Sequence, residues 1–442
     1  MKRSLPVLLA IFLVASFPLL ANGQKESGQA SASTQKQINL GIIWWGSQTR
    51  DERTIKVIKM YEKAHPNVHI TYQFAGWSDY WTKVTTQAAG KNLPDIMQQD
   101  YAYVREWTAR NLLTNLDPYI SSGAIDLSHT SAPFIDGGKV NGHMYAIDLG
   151  ANSQTWVLDT DAFKKAGIPI PASDWTWQDF EKISLELHQK LGIFGMGPNL
   201  TNEQIWKSLY LGLGEWGYAA DGKSVGYKSD KPFVDFLHMA LRLQKAGAIP
   251  NESDVVTYLD KGPEQLPIVS GQSAMAYVWS NQIVALTSAA GKSRHFQLHL
   301  LPRVAGGKSS NYIKNGQFFS ITSQSKNPQA AAQFINFFTN SVDANKVLLA
   351  ERGVPISTEV QKALTPLLGP ANAAQMNFVA LVGSDHNASP TPPPDPAGAA
   401  NVIQNVYQPQ VIQPVMFGKI TPEMGAKILR EKADAILSGK QQ

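Results

Sequence analysis

Cysteine is missing altogether from the 442 residues, which excludes a disulfide framework, a thiolate metal site and a lipid-modified amino-terminal cysteine. Charge is sparse, with Asp, Glu, Lys and Arg at 17% and a formal net charge of +4. No basic run extends beyond a few residues, so electrostatics give no case for nucleic acid or an anionic membrane surface. Long apolar runs are absent beyond Leu20, and no later segment is expected to cross a membrane. A nucleophile elbow, a zincin motif and a phosphate loop are missing too. Gly212, Gly214 and Gly217 do satisfy G-x-G-x-x-G, but they follow a helical pattern rather than a strand and read as a glycine-rich turn. His65 and His69 are split by Pro66 and a strand, while His295 and His299 share a strand face without a carboxylate motif. Neither pair supports a metal site, and no cofactor is predicted.

What is present begins with an export signal. Lys2 and Arg3 precede an apolar stretch from Leu5 to Leu20, followed by Ala21, Asn22 and Gly23, a pattern that predicts cleavage after Gly23. The competing reading, a membrane anchor, is disfavoured because Pro6 and Pro18 interrupt a stretch already short against the ~20 residues a span needs. Residues 24–37, rich in Ser, Gln, Ala and Lys, are expected to form a disordered leader. The mature chain is expected to be free in a periplasm.

The informative excess is aromatic, with 11 Trp, 14 Tyr and 17 Phe. Many of the tryptophans stand beside Gly, Ser, Asn or Asp rather than inside apolar runs, a placement that suits a surface stacking on a ligand; core packing is the alternative for most of them. Ile38, Leu40 and Ile42 alternate with polar or small residues, as do Val68, Ile70, Tyr72 and Phe74, so two half-buried strands are predicted. Ile55, Ile58 and Tyr61 mark a helix between them. A second helix is predicted from Ser78 to Ala89, stopped by Gly90, and Pro94 to Met97 makes a third strand. This β-α-β-α-β order predicts a parallel doubly wound sheet, whose ligands bind beyond the carboxyl ends of the strands. Those ends carry Trp44 to Gln48, Gly76 with Trp77, and Gln98 to Tyr101. Met144 to Thr155 reads as a crossover. Later helices are expected near Trp177, from Asn202 to Leu213, from Pro232 to Gln244, after the cap pair Asn327 and Pro328, and from about Thr421. Ser273 to Trp279 and Phe296 to Leu300 are strand-like, and Ser389 to Pro396 is a Pro-rich extended loop.

A set of short segments is similar to extracellular solute-binding proteins of family 1, the sugar receptors that include the maltose-binding type. They include Trp44-Trp45-Gly46, Leu93-Pro94-Asp95-Ile96, Leu116-Asp117-Pro118-Tyr119, Trp175-Thr176-Trp177, Gly271-Gln272-Ser273-Ala274-Met275, Val278-Trp279-Ser280-Asn281 and Arg352-Gly353-Val354-Pro355. The resemblance spans nearly the whole mature chain and rests on the number and order of these segments, each weak alone. It implies an α/β fold of two lobes joined by several hinge crossovers, each lobe a mainly parallel sheet flanked by helices. Lobe one would take residues 38–149 and 303–350, and lobe two 150–302 and 351–442. The implied function is non-enzymatic: a monomer captures a mono- or oligosaccharide between its lobes and delivers it to the permease subunits of an ABC importer. The context of Gln98 to Tyr103 and the Pro-rich loop resemble members serving plant-polysaccharide fragments. Hinge candidates are Gly150 to Asn152 and the stretch around Leu301 and Pro302.

A pyranose has an apolar face and a hydroxylated rim, so its receptor needs aromatic platforms beside amides and carboxylates. Trp77 follows a strand end and Trp279 lies where the family places a sugar-facing aromatic. Trp44 and Trp45 should point opposite ways on a strand, and Trp45 is favoured for the cleft. Asp100, with Gln99 beside it, could accept hydroxyls; the alternative for Asp100 is a helix cap. Asn152, Asn281 and Gln282 are candidate rim groups. Lys314 could recognise an acidic sugar, or form a solvated surface pair with Asn315. The rival class is a glycoside hydrolase, whose two carboxylates can lie far apart in sequence.

Overall fold

The computed structural model describes residues 36–130, 132–259, 261–384, 389 and 392–439. The predicted signal segment lies outside the described residues. β1 (Ile38–Trp45), β2 (Val68–Ala75) and β3 (Ile96–Asp100) alternate with α1 (Gln48–Ala64) and α2 (Trp77–Ala89), and α3 (Val104–Ala109) follows. β1 pairs in parallel with both β2 and β3, the arrangement that short right-handed crossovers favour. α2 opens at Gly76 and closes at Gly90. The third strand sits later than predicted, because the Asp95 carboxylate accepts the Gly41 N–H at 2.8 Å and so belongs to the turn.

A small hairpin joins β4 (Lys139–Val140) to β5 (His143–Met144). Its central residues Asn141 and Gly142 have φ of +53° and +84°, the pair of positive angles that suits the twist of a two-residue turn. β6 (Ile147–Asn152) then enters the first sheet beside β10 (Lys314–Ile321), which returns from far along the chain, giving the order β2-β1-β3-β10-β6. Only β10 runs against its neighbours. Both faces are covered: Ile42, Trp44, Phe319 and Phe334 pack on one side, and Ile43, Trp81, Met97 and Phe318 on the other.

A single residue, Ser153, separates β6 from β7 (Gln154–Asp159), the central strand of a second sheet with β8 (Met275–Trp279) and β9 (Phe296–His299). The parallel pattern expected for both lobes does not extend here: β7 is antiparallel to β8 and to β9. The reason is topological, since β8 and β9 both return toward the junction that β7 leaves. Helices enclose this sheet around Trp156, Phe180, Trp206 and Phe233. Helix Trp177–Leu191 carries a complete capping box from Thr176 and Asp179, and Asn202 caps helix Glu203–Leu211 through the Gln204 N–H. Asn327 behaves differently from the cap expected of it. It makes no side-chain cap for Pro328–Asn340, and its amide instead donates to the Asn39 carbonyl at 3.1 Å, tying that helix to β1.

Candidate functional site

The two tryptophans at the end of β1 take opposite faces, as strand geometry requires. Trp44 is sealed in the core, its indole N–H donating to Asp51 at 2.7 Å. Trp45 is the more accessible at 8% and receives the edge of Trp77, 44% exposed, with ring centroids 5.0 Å apart. Trp81 continues this wall and stacks on Tyr103 at 3.8 Å. The sheet edge thus presents Trp77 to solvent on an indole foundation.

Asp100 ends β3 and meets Lys314, the first residue of β10; Lys314 Nζ lies 3.0 and 2.9 Å from the two carboxylate oxygens. Both side chains are only 9% exposed, which removes the alternative of a solvated surface pair for Lys314. The same ammonium stands 4.7 Å from the Trp279 ring at the end of β8, so one cation joins the carboxyl edge of the first sheet to the second. Asp100 also accepts the Ala102 N–H at 2.9 Å in the turn before α3; the cap of that helix is Tyr103, so Asp100 does not serve as the helix cap that was the alternative for it.

Gln99 is not brought into this group. It faces the opposite side of β3, where its amide approaches the Met97 sulfur at 3.5 Å. Gln98, on the Asp100 face, instead accepts from Arg352 at 3.2 Å. Asn152 and Asn281 are buried beside the junction, and their amides donate to the carbonyls of Arg352 and Glu351 at 2.8 and 2.9 Å. They fasten a further segment, Glu351 to Val354, to the crossover. That segment lies against β6 so closely that a Cβ on Gly353, where φ is +134°, would meet the Ala151 carbonyl oxygen at 2.7 Å. Gly353→Ala should therefore cost more than ~1 kcal/mol in urea unfolding; an unchanged midpoint would mean this approach is loose in solution. Arg50 anchors the same segment through Glu351, Nε to carboxylate 2.9 Å, and burial together with the neighbouring Arg50 lowers the Arg352 pKa to about 9.

Sequence reasoning missed a second ion pair. Lys207, in helix Glu203–Leu211, is buried and donates to Asp395 at 2.7 Å, with Nζ 5.8 and 5.7 Å from the rings of Trp216 and Tyr218. The one available signal was the glycine motif read as a turn: a Cβ on Gly217 would strike Lys207 Cγ at 2.5 Å, so that glycine makes room for the lysine stem. Asp395 belongs to the Pro-rich segment, which reaches back to the first lobe where Tyr101 donates to the Pro392 carbonyl at 3.4 Å. Burial pushes the Tyr101 phenol up to about 12. Tyr103 is also raised, by burial and then by the charges of Asp100 and Glu203, which places both carboxylates within electrostatic reach of one phenol.

Among the described residues no group of three or more His, Cys, Asp or Glu could hold a metal ion, and no helix is long and apolar enough to cross a membrane. His295 contacts Asp161 at 2.9 Å, whereas His299 turns its ring to the carbonyls of Leu300 and Pro171.

Separate sheets joined by short crossing segments are the fold of the two-lobed α/β binding proteins. The chain belongs to the bacterial extracellular solute-binding proteins, whose family model matches residues 56–373. It is 31% identical to a family 1 extracellular solute-binding protein from Alicyclobacillus acidocaldarius subsp. acidocaldarius DSM 446, covering 92% of this chain and 100% of that one with a TM-score of 0.62. A periplasmic oligogalacturonide binding protein from Yersinia enterocolitica, solved with saturated digalacturonic acid, is 22% identical over 92% of this chain and 100% of its own, with a TM-score of 0.79. The multiple sugar-binding protein of Streptococcus mutans serotype c is 24% identical over 37% of this chain and 37% of its own length.

Proposed function

We propose that the protein is the exported binding component of an ABC sugar importer, a non-enzymatic monomer that closes on an oligosaccharide between its lobes and presents it to membrane permease subunits. The observations that carry this reading are the exposed Trp77 packed on Trp45 at the end of β1 and, at the end of β3, the buried Asp100–Lys314 pair beside Trp279. Sugar C–H faces and hydroxyls ask for that combination. The names of the Streptococcus and Yersinia relatives support a carbohydrate as cargo. Lobe one is read as extending to Asn152 and Ile356, since both pack with the first sheet. Closure requires that the ligand bind the closed form more tightly than the open one, and the crossings at Ser153 and beside Gly353 are where rotation would be absorbed.

A hydrolase would require a carboxyl near neutrality beside a second carboxylate. The carboxyls raised furthest by burial are Asp148, to about 8, and Glu252, to about 7; neither stands in the aromatic wall. Purified protein is expected to show sugar-dependent Trp fluorescence changes without release of shorter products, and Trp77→Ala should weaken binding by about tenfold or more. A flat thermal-shift response to sugars, with shifts for amino acids or peptides, would remove the carbohydrate reading.

A further inference from the structure

We infer that the cleft selects an electrically neutral oligosaccharide and discriminates against uronides, an inference that rests on the carbohydrate reading above. Among the described residues, the buried lysines Lys314 and Lys207 are the cations a sugar carboxylate would seek, and both are already committed. Lys314 holds both oxygens of Asp100 and points at the Trp279 ring. Lys207 holds Asp395 between Trp216 and Tyr218. A third carboxylate, Glu203, lies one helical turn before Lys207 and contributes to the upward shifts of Tyr103 and Tyr218. Asp100 and Asp395 thus already pair with the two lysines, Glu203 adds a further negative charge acting on the same phenols, and Arg105, which acts on Tyr101, is on the exposed rim where salt screens it.

An anionic sugar entering this wall would have to take a lysine from its aspartate, leaving that carboxylate buried without its partner, or else sit among like charges. A neutral sugar meets no such conflict. Its hydroxyls can donate to the carboxylate lone pairs that the lysines leave free, while its ring faces cover Trp77 and Trp279. Paired in this way, the lysines orient acceptors instead of recognising an anion. Asp395 is then the specificity-determining residue, because it cancels the charge of Lys207.

The test is calorimetric titration of the full mature chain with maltotriose, xylotriose, cellotriose, galactotriose and trigalacturonate. At least one neutral trisaccharide should bind about tenfold or more tightly than trigalacturonate, with little change between about 50 and about 500 mM sodium chloride. Asp395→Asn should raise trigalacturonate affinity by about tenfold through the freed lysine. Trigalacturonate binding more tightly than every neutral sugar overturns the inference while leaving the carbohydrate reading intact. Binding to none of the five, with a shift for amino acids or peptides instead, overturns both. The wild-type comparison decides the matter even if the variant does not fold.

Discussion

Lys314→Met is expected to cost about 3–5 kcal/mol of stability, because it strips a buried carboxylate of its ion-pair partner while keeping a stem of similar length. The pair is a strong candidate for so large a loss: both side chains are 9% exposed and the ammonium reaches both oxygens of Asp100. Urea unfolding of the single variant and of Asp100→Asn/Lys314→Met separates pairing from packing. Most of the loss should return in the double variant, where a neutral amide replaces the stranded charge. A single variant within about 1 kcal/mol of wild type would show that the pair is solvated. Because the same lysine stands under Trp279, sugar affinity should fall in both variants, so stability and binding are predicted to part company in the double variant.

Asp148→Asn is expected to stabilise the protein in a strictly pH-dependent way. Burial is the first cause that lifts Asp148 from 3.8 to about 8, opposed by N–H bonds from Gly150 and Leu149 and by the charge of Lys314. Among the described residues, one carboxyl oxygen, Oδ2, has no hydrogen-bond partner. A raised carboxyl pKa means that the folded protein keeps a proton the unfolded chain gives up. The contribution of this group is thus most favourable below about pH 4 and is lost as pH rises through about 8. Asparagine is neutral throughout and retains an acceptor for the Gly150 N–H. Variant and wild type should agree near the acid end and diverge toward mild alkali, by up to several kcal/mol, on the order of 5 as an upper bound. Thermal unfolding across that range checks it; a constant offset between the two proteins would show that Asp148 titrates normally.

The parts of this molecule that were legible in sequence are those governed by local periodicity. The alternations at Ile38 to Ile42 and Val68 to Phe74 became β1 and β2, and the helix predicted from Ser78 to Ala89 became α2, which starts one residue earlier, at Trp77, with Gly76 as its cap. The convergence of Trp45, Trp77 and Asp100 on one sheet edge also followed, since parallel strands must end together. Gln99 does not join Asp100 and Lys314 for a reason equally local: a residue one step from a chosen side chain faces the other way. Asn327 looked like a cap and was recruited by β1, a partner 288 positions distant in the chain.

The amino-acid order alone determined a chain without cysteine, with a scarcity of charge, and with a β-α-β-α-β opening that brings indoles to strand ends, because composition and period act over a few residues. Only the tertiary structure decided that Lys314 would lie between Asp100 and Trp279, that Lys207 would meet Asp395, and that the second sheet would be antiparallel. Lys207 and Asp395 are 188 positions apart, and no spacing rule connects them. What selects such a pair is the cost of burying either charge alone, a cost that exists only once the surrounding rings have excluded water.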